Sequence, residues 1–357
     1  MLRFCLMLLM LWSVGYSLAQ EAPESLTIDY YLIRAGTAEP DMDEIYWVDV
    51  NQEISHRDLI NGKKYTVTQS GLLYLDLDTK KPSLLDANGE KSVHPVFAQL
   101  GSYDDMDWLY LPDLDKVIWT VIPAGTDETV LYISDSRGMG LHHIYQEQVS
   151  AGILLLPIAY DAASKTVFVD YQPRQIRNYA PYPLYAGLQK IDLSTQEASW
   201  LINEPGCFCG ASIDMPLFAR FELNRDSSGF DLIIHQLKQG SEIKIDAVEG
   251  NYTQASNLLL APNHERLIYV VAKLENFNQA NEQIQSTIVY VDLATESGEL
   301  LFEPISELIY PLRWQSESEF LYYELETNST HLYNLESRED RVLSQGQYLG
   351  RAQVSIP

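Results

Sequence analysis

Cysteine and basic residues are both scarce in this chain. Three cysteines occur in 357 residues, and 24 Lys and Arg face 50 Asp and Glu, a formal net charge of −26. Each shortage excludes something. A chain this acidic repels phosphate backbones, and no basic stripe interleaved with aromatics breaks the pattern, so nucleic acid is excluded as a partner. So few cysteines leave the four ligands of a structural zinc site half built. Long apolar runs are missing beyond the N-terminus. The best later candidate, "AGILLLPIAY" (151–160), is strand-sized and well short of the ~20 residues that span a bilayer. No G-x-S-x-G turn offers a serine nucleophile; "GCFCG" (206–210) puts Phe208 where the serine would stand. Helical periodicity is nearly absent as well.

What is present begins with "MLRFCLMLLMLWSVGYSLAQ", which has Arg3, an apolar core from Phe4 to Trp12 and then small residues. Ser17 and Ala19 fit small-x-small cleavage, so residues 1–19 read as a signal peptide cut after Ala19, with 20–25 as a short linker. Gln20 stands where a lipoprotein signal would need cysteine. The expected location is secreted, periplasmic or extracellular, with no transmembrane segment after cleavage. Cys5 leaves with the signal, and Cys207 and Cys209 remain. Gly206, Gly210 and Pro205 argue for a turn there, which brings residues two apart within disulfide reach. An oxidising compartment then predicts a Cys207–Cys209 bridge that staples one loop.

From residue 26 onward a repeat is visible. One piece is an alternating strand ending in a polar turn: "IYWVDVNQE" (45–53), "LLYLDLDTK" (72–80), "VLYISDSRG" (130–138), "LQKIDLSTQ" (188–196), "SEIKIDAVEG" (241–250), "IVYVDLATESGE" (288–299) and "HLYNLESRE" (331–339). A second piece, a turn followed by an apolar strand, precedes it, as in "LPDLDKVIWTV" (111–121), "AYDAASKTVFVDY" (159–171), "NRDSSGFDLIIH" (224–235), "APNHERLIYVVA" (261–272) and "RWQSESEFLYYEL" (313–325). Each pair reads as two neighbouring strands of one antiparallel unit. The spacing suits the four-stranded blades of a single all-β propeller over 26–357, although the step from residue 46 to 74 is short for a blade. The tail "QYLGRAQVSI" (347–356) has the spacing of a first strand with nothing behind it, and the segment from 26 to 60 supplies remaining strands. Tail and start together complete one blade and close the ring. Seven blades result, with six as the alternative.

The turn-plus-strand piece resembles the repeat of TolB-type propellers and of the propeller domain of dipeptidyl-peptidase-like enzymes, roughly S-P-D-G-K followed by alternating apolar residues. Ala261-Pro262-Asn263-His264-Glu265-Arg266-Leu267-Ile268-Tyr269 carries it, and "YDAASKTVFV" and "RDSSGFDLII" are looser copies without the Asp-Gly turn. The resemblance implies a propeller and brings no catalytic motif. In those peptidases the nucleophile sits in a separate hydrolase domain.

Acid pairs at i, i+2 occur at Asp41/Asp43, Asp76/Asp78, Asp105/Asp107 and Asp113/Asp115. Such spacing suits Ca²⁺ or acid–base work, but a complete calcium loop fails at each, so no cofactor is assigned and turn-capping is favoured. The adjacent His142 and His143 point to opposite faces of a strand, one expected exposed and one packed. Sequons occur at Asn251 and Asn328. The most distinctive loop, "YQPRQIRNYAPYPLYAG" (171–187), combines Arg174 and Arg177 with Tyr179, Tyr182 and Tyr185 on a proline-stiffened backbone. Exposed Arg and Tyr favour recognition of a protein, peptide or glycan; the alternative is a loop folded over its own blade. The function expected is thus an exported binding or scaffold module. The competing reading is a propeller-housed lyase or glycoside hydrolase with carboxylates or a metal in the central funnel. Fold alone does not choose between them.

Overall fold

The computed structural model describes residues 26–37, 42–49, 51, 53–150, 152–173, 181–201, 210–214, 217–224, 229–237, 240–276, 279 and 281–356. The chain opens with β1 (Leu26–Gly36), β2 (Asp43–Asp49) and β3 (Ile54–Ile60). Six complete sheets follow. Blade 1 is β4 (Gly62–Thr68), β5 (Gly71–Asp76), β6 (Pro82–Leu85) and β7 (Lys91–Val93). Blade 2 is β8 (Tyr103–Leu111), β9 (Lys116–Pro123), β10 (Glu128–Asp135) and β11 (His142–Gln148), and blade 3 is β12 (Ile153–Asp161), β13 (Thr166–Pro173), β14 (Leu188–Asp192) and β15 (Glu197–Trp200). Blade 4 holds β16 (Ala211–Asp214), β17 (Leu217–Leu223), β18 (Phe230–Gln236) and β19 (Ser241–Ile245). Blade 5 holds β20 (Gln254–Leu260), β21 (Arg266–Glu275), β22 (Gln283–Asp292) and β23 (Ser297–Leu300). Blade 6 holds β24 (Ile309–Trp314), β25 (Glu319–Glu324), β26 (Ser329–Asn334) and β27 (Glu339–Gln345). Finally β28 (Gln347–Ile356) pairs antiparallel with β1, giving the order β28-β1-β2-β3. The fold is a seven-bladed β-propeller, closed by the C-terminal strand in the innermost place of blade 7.

Burial follows position within a blade. Second strands are apolar on both faces, as in β9, where Val117–Ile122 is continuously buried. Outermost strands such as β7, β15 and β27 are almost wholly exposed and read as polar segments. The short step from 46 to 74 now has a cause. β2 is the third strand of its blade, whereas 71–76 is the second strand of the next, so the two copies are not equivalent. Likewise 241–245 is a fourth strand rather than a third.

Hydroxyls and indoles tie neighbouring blades together. Thr120 Oγ1 donates to Leu155 O at 2.8 Å, Trp314 Nε1 to Leu259 O at 3.1 Å, and Trp108 Nε1 to Thr66 Oγ1 at 3.0 Å. At the closure Thr330 Oγ1 donates to Gly346 O at 2.7 Å and accepts from Tyr348 N at 2.9 Å. These groups are buried, so each bond avoids the penalty of an unsatisfied polar group.

Candidate functional site at the mouth of the channel

Antiparallel order within each blade brings the second-to-third-strand loops and the blade-to-blade connections to one end of the ring, here the upper rim. The 171–187 loop is one of these connections, between β13 and β14. Arg174, Arg177 and Tyr179 lie outside the described residues, as do Cys207, Cys209 and the 1–25 segment. The described part, 181–187, does not stay on its own blade. Tyr182 is buried with Val270, Ala272 and Leu308 of the blade 5 and 6 region, and its ring lies 5.4 Å from that of Tyr310. Ser256 Oγ of β20 donates to Pro183 O at 2.7 Å, and Tyr310 OH of β24 lies 3.5 Å from Pro181 O. On the near side Gln172 Nε2 donates to Leu184 O at 2.5 Å, and Asp170 Oδ1 accepts from Ala186 N and Gly187 N at 2.9 and 2.7 Å. The segment is therefore a strap across the upper face, held at both ends. Burial pushes the Tyr182 phenol up, and that of Tyr185, half-buried, up to about 12.

Beneath the strap is a cavity of about 410 Å³. Its walls are Leu156–Ile158 of β12, Gln172, the 181–185 strap, and Lys64 with Asp107 from the inner strands β4 and β8. Lys64 reaches it through an irregularity in β4: the pairing with β5 slips between Lys63 and Thr66, and Lys64 takes φ +58. A left-handed lysine costs roughly 1–2 kcal/mol, and bulges of this kind re-aim side chains. Here the bulge turns the ammonium toward the next blade, where it pairs with the Asp107 carboxylate and stands 5.3 Å from the Trp108 ring centroid. Close by, Arg34 Nε pairs with Asp43 at 2.8 Å, and Tyr65 OH donates to the same carboxylate at 2.6 Å. Burial and Asp43 push the Tyr65 phenol up.

The acid pairs have mixed roles. Asp76 caps a turn, its Oδ1 accepting from Thr79 N and Oγ1, as Asp192 and Asp292, outside the pairs, do for the turns that follow them. Asp43 and Asp107 instead form the ion pairs with Arg34 and Lys64, and Asp41 lies outside the described residues. Asp115 accepts from Tyr110 OH at 3.1 Å. Among the described residues no group of three His, Cys, Asp or Glu side chains is placed to hold a metal ion. His142 and His143 are both exposed, a correction to the expected one-in, one-out pair: they open β11, the outermost strand of blade 2, whose cover begins only at the buried Tyr145, past an irregularity in its pairing with β10.

Sequence reasoning missed one constellation. In β26 Ser329 Oγ lies 2.9 Å from His331 Nε2, and His331 Nδ1 lies 3.1 Å from Asp340, with Glu324 3.4 Å from Nε2. Ser329 is buried and also bonds to Thr327 Oγ1 at 2.8 Å. The cavity of about 440 Å³ beside it is walled by Tyr322, Glu324, Tyr333 and Asp340 among others, not by Ser329, so the hydroxyl is not presented to a substrate. The i, i+2 spacing of Ser329 and His331 on one strand face was the available signal.

No protein-family model matches the chain, and no curated protein matches it in sequence. Solved structures match in fold. An oligogalacturonate lyase from Vibrio parahaemolyticus is 11% identical with TM-score 0.52, over 90% of this chain and 86% of that one. An oligogalacturonate lyase in complex with manganese is 12% identical with TM-score 0.51 and the same coverage. TolB from Acinetobacter baumannii is 14% identical with TM-score 0.44, over 90% of this chain and 81% of that one. The propeller implied by the TolB-type repeat is thus the fold, and at these identities the likeness extends to the fold alone.

Proposed function

We propose that the protein is an exported propeller that binds a peptide segment of a partner in the strapped cavity at the mouth of its channel. One observation carries this reading. A strained inner-strand lysine, paired with Asp107, is aimed into a mostly apolar cavity of about 410 Å³ roofed by prolines and tyrosines. That volume and lining, with few convergent polar groups, match those of ligand sites in general. Leu156–Ile158 and the strap would hold an apolar side chain, while the Lys64–Asp107 pair and Gln172 would meet the adjoining peptide group. Backbone strain at such a position fits a functional constraint. Nucleic acid does not fit the charge, and no helix among the described residues is long and apolar enough to cross a membrane.

Panning a displayed random-peptide library tests the site. Peptides enriched on the native protein should lose at least tenfold in affinity for Ile158→Trp, which fills the cavity, and for Lys64→Met. If the enriched peptides bind both variants as tightly as the native protein, the assignment fails. Export is tested separately: the chain recovered from outside the cytoplasm should begin at Gln20, and full-length chain confined to the cytoplasm would overturn it. Thiol counting on that material, denatured but unreduced, should find none free if Cys207 and Cys209 are bridged.

A further inference from the structure

A second opening lies far from the strap, at the seam where the ring closes. Among the described residues the buried cluster between blade 6 and blade 7 contains only Leu321, Leu332 and Tyr348, with Tyr31 and Leu312 packed against it. On the other side of blade 7 the cluster is much fuller, running from Leu32, Ile45 and Trp47 to Leu72, Tyr74 and Leu85. Where the seam's core is thin there is a cleft of about 680 Å³, bounded by β1 and β2 on one wall and by β25, β26 and β27 on the other. At its mouth stand Ile54 and Leu343, 61% and 40% exposed. Two apolar side chains this open, either side of an apolar cleft, form a patch that solubility alone does not explain.

We infer that this cleft binds a basic, amphipathic extended segment of a partner protein. Shape and charge both point there. The cleft accommodates a few side chains rather than a folded face, which favours a strand over a second copy of the chain. Its mouth is flanked by the outermost strands β3 and β27, whose outer edges pair with no other strand in their sheets. An added strand would take main-chain hydrogen bonds from such an edge and place alternate side chains in the cleft. Among the described residues no lysine or arginine lines the cleft. The formal charge among them is that of Glu319, and the whole chain carries −26. Lysines on the outward face of the segment would therefore meet a field of the opposite sign.

Fluorescence anisotropy with a labelled heptapeptide of alternating valine and lysine tests this on the full-length protein, with the matching valine–glutamate peptide as counter-probe. The basic peptide should bind, and Leu343→Lys, which takes an apolar side chain from the mouth and sets a like charge against the peptide, should weaken binding at least tenfold. Ile54→Lys should act likewise, whereas Leu223→Lys, on blade 4 and 49% exposed in the native protein, should change affinity less than twofold. Because the three positions are exposed, thermal melts should stay near the native value, and a variant that does not fold is replaced by Ile54→Gln. Lys64→Met should leave the affinity unchanged, which separates this site from the strapped cavity. Equal binding of the acidic peptide, or undiminished binding to Leu343→Lys and Ile54→Lys, overturns the proposal. So does a concentration-dependent dimer in sedimentation that either rim variant abolishes, since the occupant would then be a second copy.

Discussion

At the scale of single residues, Lys64 is one of several described non-glycine positions at positive φ, and the one that lines the strapped cavity. Its φ of +58 would suit glycine, yet a long cation stands there. Lys64→Gly relieves about 1 kcal/mol of left-handed strain and gives up an ion pair worth about as much. Urea unfolding should therefore place it within about 1 kcal/mol of the native protein, while Lys64→Ala keeps the strain without the pair and falls below both. A Gly variant as unstable as the Ala variant would refute the strain. Two histidines set opposite pH slopes. The hydrogen bond to Asp340 holds His331 above its ordinary 6.5, with Glu324 and Glu307 adding to it. Its contribution is complete below pH about 6.5 and is lost as pH rises through the raised value. Burial holds His94 below 6.5, although its Nε2 contacts Ser136 O at 3.0 Å. Its contribution is present above pH about 6.5 and is lost as pH falls through the lowered value. Melting temperature against pH should thus lose slope on the alkaline side in His331→Gln and on the acid side in His94→Gln; parallel curves for the two variants would contradict both assignments. None of this was legible in the sequence, because a histidine's partners are set by strand register.

Elements differ in how plainly they show. Second strands are covered on both faces and appear as apolar runs, while third strands such as β2 and β14 alternate and end in Asx turns, so the repeat shows on these two. Innermost strands are interrupted by bulges, as at Lys63/Thr66, Pro157/Ala159 and Ser256/Leu259, which break the alternation. Outermost strands such as "EDRVLSQ" are exposed and look like loops. Strands at different places in a blade can also share one strand-plus-polar-turn pattern, 72–80 holding a second strand and 241–250 a fourth, which makes the apparent blade spacing uneven. Closure was legible, since 347–356 had strand character and no partner in sequence. Its removal tests the ring. Deleting 347–356 takes away every β28–β1 pair and leaves β1 paired with β2 alone, and the melting temperature should fall by at least about 10 °C at roughly 2–4 °C per kcal/mol. A melt within 2–3 °C of native would show that the closing strand is dispensable. A smaller change probes the same element. Gly346 has φ +93, and a Cβ there would meet Arg34 O at 2.6 Å. Gly346→Ala should cost about 2 kcal/mol, by strain and contact together, read as a shift in the urea midpoint.

For the whole molecule, charge and seam are the governing features. A net charge of −26 repels itself, and raising salt from 0.01 to 0.15 M shortens the screening length from about 30 to about 8 Å. The melting temperature should rise over that range and level off beyond it; a flat response would mean that the acids are already neutralised locally. Hydrogen exchange should be fastest, apart from the outer strands themselves, in β25, β26 and β1 beside the thin core of the blade 6–7 seam. Slower exchange there than between blades 4 and 5, where Phe221, Leu232, Tyr269 and Val291 are buried together, would contradict the seam's weakness. The amino-acid sequence by itself determined the all-β class, the repeating four-stranded unit, the tail-to-start closure and the absence of a membrane-spanning run, because these rest on local pattern and composition. Only the tertiary structure decided where the strap goes, that Lys64 meets Asp107 beneath it, and that the closing seam is hollow. Those depend on which blades adjoin or face one another in the ring, and contacts between side chains of different blades leave no trace in local periodicity.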